Sequence, residues 1–66
     1  MKLLLNGEET VTNGACTVAE LLHELSVRRE RVAVEVNGEV VRRADHDRHT
    51  LRPGDRVEIV GFVGGG

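Results

Sequence analysis

The 66-residue chain contains no tryptophan or tyrosine and a single phenylalanine, Phe62. Proteins that hold single-stranded nucleic acid stack its bases on aromatic side chains, so this absence argues against that role. A formal net charge of −2 supplies no basic field for a phosphate backbone. The one cysteine, Cys16, cannot build an internal disulfide framework, and no basic leader followed by a long apolar segment reads as a signal peptide. A reducing cytoplasm is the expected setting. No apolar run approaches the roughly 20 residues that a membrane-spanning helix needs. The G-x-x-x-x-G-K-[ST] phosphate loop is missing, as is a nucleophile with a base at its side, so the chain is expected not to be an enzyme and to bind no cofactor of its own.

What is there points to a small globular domain. Hydrophobic residues make up 39% and charged residues 30%, a balance of folded rather than disordered chains. A chain of this size buries only about 60% of the surface that its unfolded form exposes, which leaves room for one modest core.

The stretch "MKLLLNGEETV" places Asn6-Gly7 between two short apolar runs. Asn-Gly suits the two positive-φ positions of a type I′ turn, so the domain opens on a β-hairpin. In "CTVAELLHEL", Thr17 and Glu20 form a T-x-x-E capping box, and Val18, Leu21, Leu22 and Leu25 recur at helical spacing. Cys16, just before the N-cap, is expected to pack against Leu21 as a hydrophobic staple. "RVAVEVNGEVV" alternates Val32, Val34 and Val36 against Ala33 and Glu35 and then turns at Asn37-Gly38, giving a third strand and a short fourth. "RRADHDRHT" reads as a polar loop with one helical turn. Pro53-Gly54 fits the centre of a type II turn, and Val57 and Ile59 face one way along a last strand. The helix can bury its stripe only against the sheet. The expected class is therefore α+β, a β-grasp with a mixed sheet of four to five strands on one helix, with residues 1–63 as the domain and 64–66 as a flexible glycine tail.

Gly64, Gly65 and Gly66 contribute nothing to a fold, because glycine loses the most freedom on ordering. A tail without side chains can instead thread a narrow channel and set the Gly66 carboxylate beside a nucleotide in another protein's site. A carboxylate is a poor electrophile, so the simplest activation is an acyl-adenylate made from ATP, with the machinery supplied by a partner.

The segments "LLLNGE", "TVAELL", "RVAVEVNGEVV" and "LRPGDRVEIV", with the closing glycines, resemble the ThiS family of bacterial sulfur carriers of the thiamine pathway over nearly the whole chain. The resemblance implies a ubiquitin-like β-grasp fold. It also implies that an E1-like, ThiF-like enzyme adenylates Gly66, that a sulfur donor protein supplies the sulfur of the resulting thiocarboxylate, and that a ThiG-like thiazole synthase accepts it. Gly65 would be the second residue of the essential pair and Gly64 a less constrained small residue. The chain departs from the family at Arg42, where proline is common, and at Cys16. Two alternatives stay open: the sulfur carrier of another pathway, such as the small subunit of molybdopterin synthase, and a ubiquitin-like modifier or binding module.

Period-two alternation puts Val60 and Phe62 opposite the helix-facing side of the last strand, with Ala33 and Leu4 on neighbouring strands, as candidates for docking a partner. In "DHDRH", His46 and His49 lie near Asp45 and Asp47, but no further His or Cys is clustered with them and structural zinc takes four ligands. That segment reads as a solvated loop without a metal. His23 falls on the polar face of the helix, and "RRER" at 28–31 reads as a solvated turn. Glu35, Glu39 and Glu58 are either solvated or complementary to a basic partner surface.

Overall fold

The computed structural model describes residues 1–61. Phe62 and the expected tail at 64–66 lie outside them. The described elements are strands β1 (Lys2–Leu5) and β2 (Glu8–Val11), helix α1 (Val18–Glu24), and strands β3 (Val32–Val36), β4 (Glu39–Val41) and β5 (Arg56–Gly61). Single 3₁₀ turns occur at Arg29–Arg31 and Arg43–Asp45, the second supplying the helical turn expected in the polar loop.

Both hairpins close on two residues with left-handed backbone, Asn6 and Gly7 at φ 48° and 84° and Asn37 and Gly38 at 53° and 86°. This is the type I′ geometry that the Asn-Gly pairs favour, and it sets the register at Leu5↔Glu8 and Val36↔Glu39. Gly54, at φ 89°, takes the position of the Pro53 turn that needs positive φ, and Asp55 N donates to Arg52 O across it at 3.1 Å.

The five strands lie in the order β2-β1-β5-β3-β4. β5, the last strand in sequence, fills the centre, parallel to β1 and antiparallel to β3. One helix packed on a five-stranded mixed sheet with this order is a ubiquitin-like β-grasp. Val18 and Leu21 from α1 are fully buried together with Val34 and Val57 from the sheet, and Leu3, Leu22 and Leu51 add to the same core. No helix among the described residues is long and apolar enough to cross a membrane.

The helix ends are closed by different means. Thr17 Oγ1 accepts from Glu20 N (3.2 Å), and Glu20 Oε1 accepts from Thr17 N (3.0 Å), completing the capping box. The two helix donors without an intrahelical partner are met from the polar loop: Val18 N donates to His49 O and Ala19 N to His46 O, both at 3.0 Å. At the other end Ser26 adopts φ 59°, with Ser26 N donating to His23 O and Val27 N to Leu22 O, a Schellman closure built without glycine.

Two expectations are corrected. Cys16 does not staple onto Leu21: it is exposed, its thiol lies 3.6 Å from Gly14 O, and Ala15 takes the buried place beside the helix. Glu20 Oε1 also accepts from Cys16 N (2.8 Å), which fixes the extended entry so that residue 15 points in and residue 16 out. The "DHDRH" segment is not uniformly solvated either. The 3₁₀ turn directs His46 inward to 2% exposure, where its Nε2–H donates to Val41 O at 3.2 Å. Its Nδ1 is buried without a partner among the described residues.

Candidate functional site: the end of the central strand

β5 is the last described element before residues 62–66, so the geometry of its final residues sets the position and direction of the chain at Gly61. On one side β5 pairs with β3 to its last residue, Val60 opposite Ala33 and Gly61 opposite Val32. On the other side β1 pairs only as far as Leu5↔Val57. Asn6 then takes over. Its backbone N donates to Val57 O (2.9 Å), its Oδ1 accepts from Ile59 N (2.8 Å) and its Nδ2 donates to Ile59 O (3.3 Å). The side-chain amide acts as one more peptide unit of β1 and holds β5 on both sides as far as Ile59. A positive φ at residue 6 is needed for the hairpin turn as well, and Asn is among the residues that tolerate it. Reading the sequence assigned Asn6 to the turn and missed this second role, because its partner lies 53 residues away.

Alternation holds along β5. Val57 is fully buried and Ile59 packs against the core, while Arg56, Glu58 and Val60 face away from the helix. Val60 is 55% exposed and its neighbour Ala33 is half-buried. Leu4, also half-buried, occupies the same outer face but pairs with Arg56, four residues from Val60. The row between them carries Glu58 directly opposite Glu35. Val60 and Ala33 therefore form one small apolar step beside the end of β5, and Leu4 belongs to a separate depression bordered by Lys2, Glu9 and Gly54. Phe62 lies outside the described residues. Glu35 is half-buried, whereas Glu58 and Glu39 are exposed.

The other singled-out side chains are held in structural roles. Glu20 and Glu24 accept from backbone N–H groups of Cys16, Thr17 and Asn13, so the open depression beside α1 is walled by carboxylates already in use. His46 is enclosed, and His23 lies on the exposed face of the helix. Among the described residues no three His, Cys, Asp or Glu side chains are placed to hold a metal ion.

Comparison with known proteins gives a consistent set of relatives. The model of the ThiS family matches residues 3–66. The chain is 46% identical over all 66 residues to a thiazole synthase of Paramagnetospirillum magneticum and 41% identical to one of Magnetococcus marinus. It spans only about a fifth of the length of each, 20%. It is 29% identical, over the full length of both chains, to the sulfur carrier protein ThiS of Escherichia coli. The crystal structure of the thiamine biosynthesis protein ThiS from Geobacter metallireducens superposes with a TM-score of 0.86 at 45% identity, each chain fully covered. A solution structure of a thiamine biosynthesis protein from the same organism gives 0.81 at 43%, covering all of this chain and 88% of that one.

Proposed function

The chain belongs to the ThiS family, and from that membership we propose that it is a sulfur carrier for the thiazole of thiamine, with the Gly66 carboxylate as the group that carries the sulfur. The observation that carries the reading is the family match running through residue 66 on a fold whose central strand leads into the glycines. In this scheme an E1-like partner joins the Gly66 carboxylate to the AMP portion of ATP and releases pyrophosphate. A persulfide on a donor protein then displaces AMP to form an acyl disulfide with Gly66, and attack of a second thiol on that S–S bond frees the thiocarboxylate and leaves a disulfide behind. A thiazole synthase consumes that sulfur and returns the carboxylate.

The division of labour follows from the chain's chemistry. A glycine run offers no Cβ to obstruct a narrow channel, and the strand that precedes it in sequence is held on both sides as far as Ile59. The partner supplies nucleotide binding and catalysis. The names of two relatives support thiazole synthase as the acceptor, since a domain 46% and 41% identical to this chain occurs within those longer proteins.

Mass spectrometry of the C-terminal peptide tests the reading after incubation with ATP, a sulfur donor and the E1-like enzyme of the same organism. An ATP-dependent exchange of one oxygen for sulfur, localised to Gly66, is the expected result, and deletion of Gly66 should abolish it while the unfolding curve stays unchanged. Peptide-level localisation separates this from oxidation of Met1 or Cys16. An unmodified Gly66, with an enzyme shown to be active on a known carrier, would overturn the proposal.

A further inference from the structure

The charge of this molecule is unevenly placed. Segments 28–31 and 42–48 hold six arginines and three carboxylates, a net +3, so with the whole chain at −2 the remainder carries −5. The sequence alone presents these segments as two solvated turns. The fold brings them together: Arg43 Nη2 donates to Glu30 O at 3.3 Å, and Arg29 Nη1 lies 3.5 Å from Asp47 Oδ1. Arg28, Arg31, Arg42 and Arg43 are all exposed, and among the described residues their guanidinium groups form no ion pair within 4.0 Å.

The sheet register places Arg31 and Arg42 of this cluster at the end of β5. Arg31 immediately precedes Val32, the partner of Gly61. Arg42 immediately follows Val41, whose partner Val34 lies two residues further along β3. Arg31 and Arg42 therefore flank the end of β5 on the side of β3 and β4, with Arg43 held beside Arg31 through Glu30 O, while the opposite side carries the Asn6-Gly7 turn followed by Glu8. Exposed cations that the fold does not neutralise cost self-repulsion and are useful where an oppositely charged surface arrives. Arginine suits this task, since its planar fork meets a carboxylate through two parallel hydrogen bonds.

We infer that Arg31, Arg42 and Arg43 form a docking surface for an acidic patch bordering the tail entrance of thiazole synthase, orienting the carrier so that β5 points into that entrance. The inference rests on the carrier reading above. Thiazole synthase is the chosen partner because this domain occurs within the chain of two such proteins. An arginine side set against Glu8 on the other flank of one strand fixes rotation about that strand, which an apolar step of two residues does not.

The test is binding of the full chain to the thiazole synthase of the same organism, measured by calorimetry across a series of salt concentrations. The double variant Arg31→Glu/Arg42→Glu should raise Kd by about tenfold or more and flatten its dependence on salt. Arg31→Gln/Arg42→Gln should give a smaller loss in the same direction. Arg52→Glu, in the turn at the opposite end of β5, should change Kd by less than about twofold, with thermal midpoints confirming that every variant folds. Unchanged binding by both double variants would overturn the inference. If Gly66 of the wild-type chain still becomes a thiocarboxylate in that case, the carrier reading stands and only this docking surface fails. If the wild type neither binds nor is converted, both fail together.

Discussion

At the scale of single residues, His46 shows how a polar side chain can serve as core. Its ring fills space beneath the 3₁₀ turn, its Nε2–H meets the carbonyl of Val41, and its own backbone carbonyl accepts from the first turn of α1. One residue thus links β4, the polar loop and the helix. Replacement by alanine removes buried volume and strands a carbonyl, so His46→Ala should cost about 2 kcal/mol or more in urea-monitored unfolding. His49→Ala, whose contribution to the helix is a backbone carbonyl, should cost far less. Equal losses in the two variants would show that the ring itself does not matter. Ser26 and Cys16 are the other positions where a residue sits against local preference. Ser26 accepts a left-handed backbone to close the helix, and Cys16 turns outward where Glu20 Oε1 holds its N–H and Ala15 turns in.

At the scale of elements, the unusual one is β5. Its neighbour β1 ends early, and the Asn6 amide continues the ladder for one more residue pair. Asn6→Gly keeps the positive φ of the turn and removes only the amide, which isolates its contribution. Two lost hydrogen bonds in a partly solvated setting should cost about 1 to 2 kcal/mol. Hydrogen exchange at the Ile59 amide should accelerate well beyond that of Glu58, which faces β3 across the sheet. If Ile59 exchanges at the wild-type rate, the amide does not clamp the strand. The helix contributes differently: with only seven residues it is far below the length at which a helix is stable alone, so its caps and its buried stripe must hold it.

At the scale of the whole molecule, one face of the sheet is filled by the core and the other is left largely to charged side chains. The helix-facing side of the sheet is filled with valine and leucine, whereas the outer side sets Glu35 directly opposite Glu58. Like charges in opposed positions weaken a sheet, so stability does not account for that pair. Val60 and Ala33 stand between this pair and the end of β5. The variant Val60→Thr keeps the β-branched shape and should leave unfolding within about 0.5 kcal/mol of wild type. If the proposed E1-like partner docks on this step, activation of Gly66 should nevertheless slow by about threefold to tenfold, because a methyl group that such a partner would bury becomes a hydroxyl. A variant activated at the wild-type rate would exclude Val60 from that interface.

By itself the sequence determined the pieces whose causes lie within a few residues. Asn6-Gly7 and Asn37-Gly38 dictate their turns, Thr17 and Glu20 the helix start, and the valines of "RVAVEV" the faces of β3. Tertiary structure alone decided what depends on distant partners. The amide of Asn6 reaches Ile59 across 53 residues, His46 is buried only because the polar loop folds under β4 against the helix, and two runs of arginine become one surface only when β3 and β4 pair. Local torsional preference and periodicity act along the chain, where a sequence displays them. Burial and charge clustering act through space, and the order β2-β1-β5-β3-β4 had to form before any of those neighbours existed.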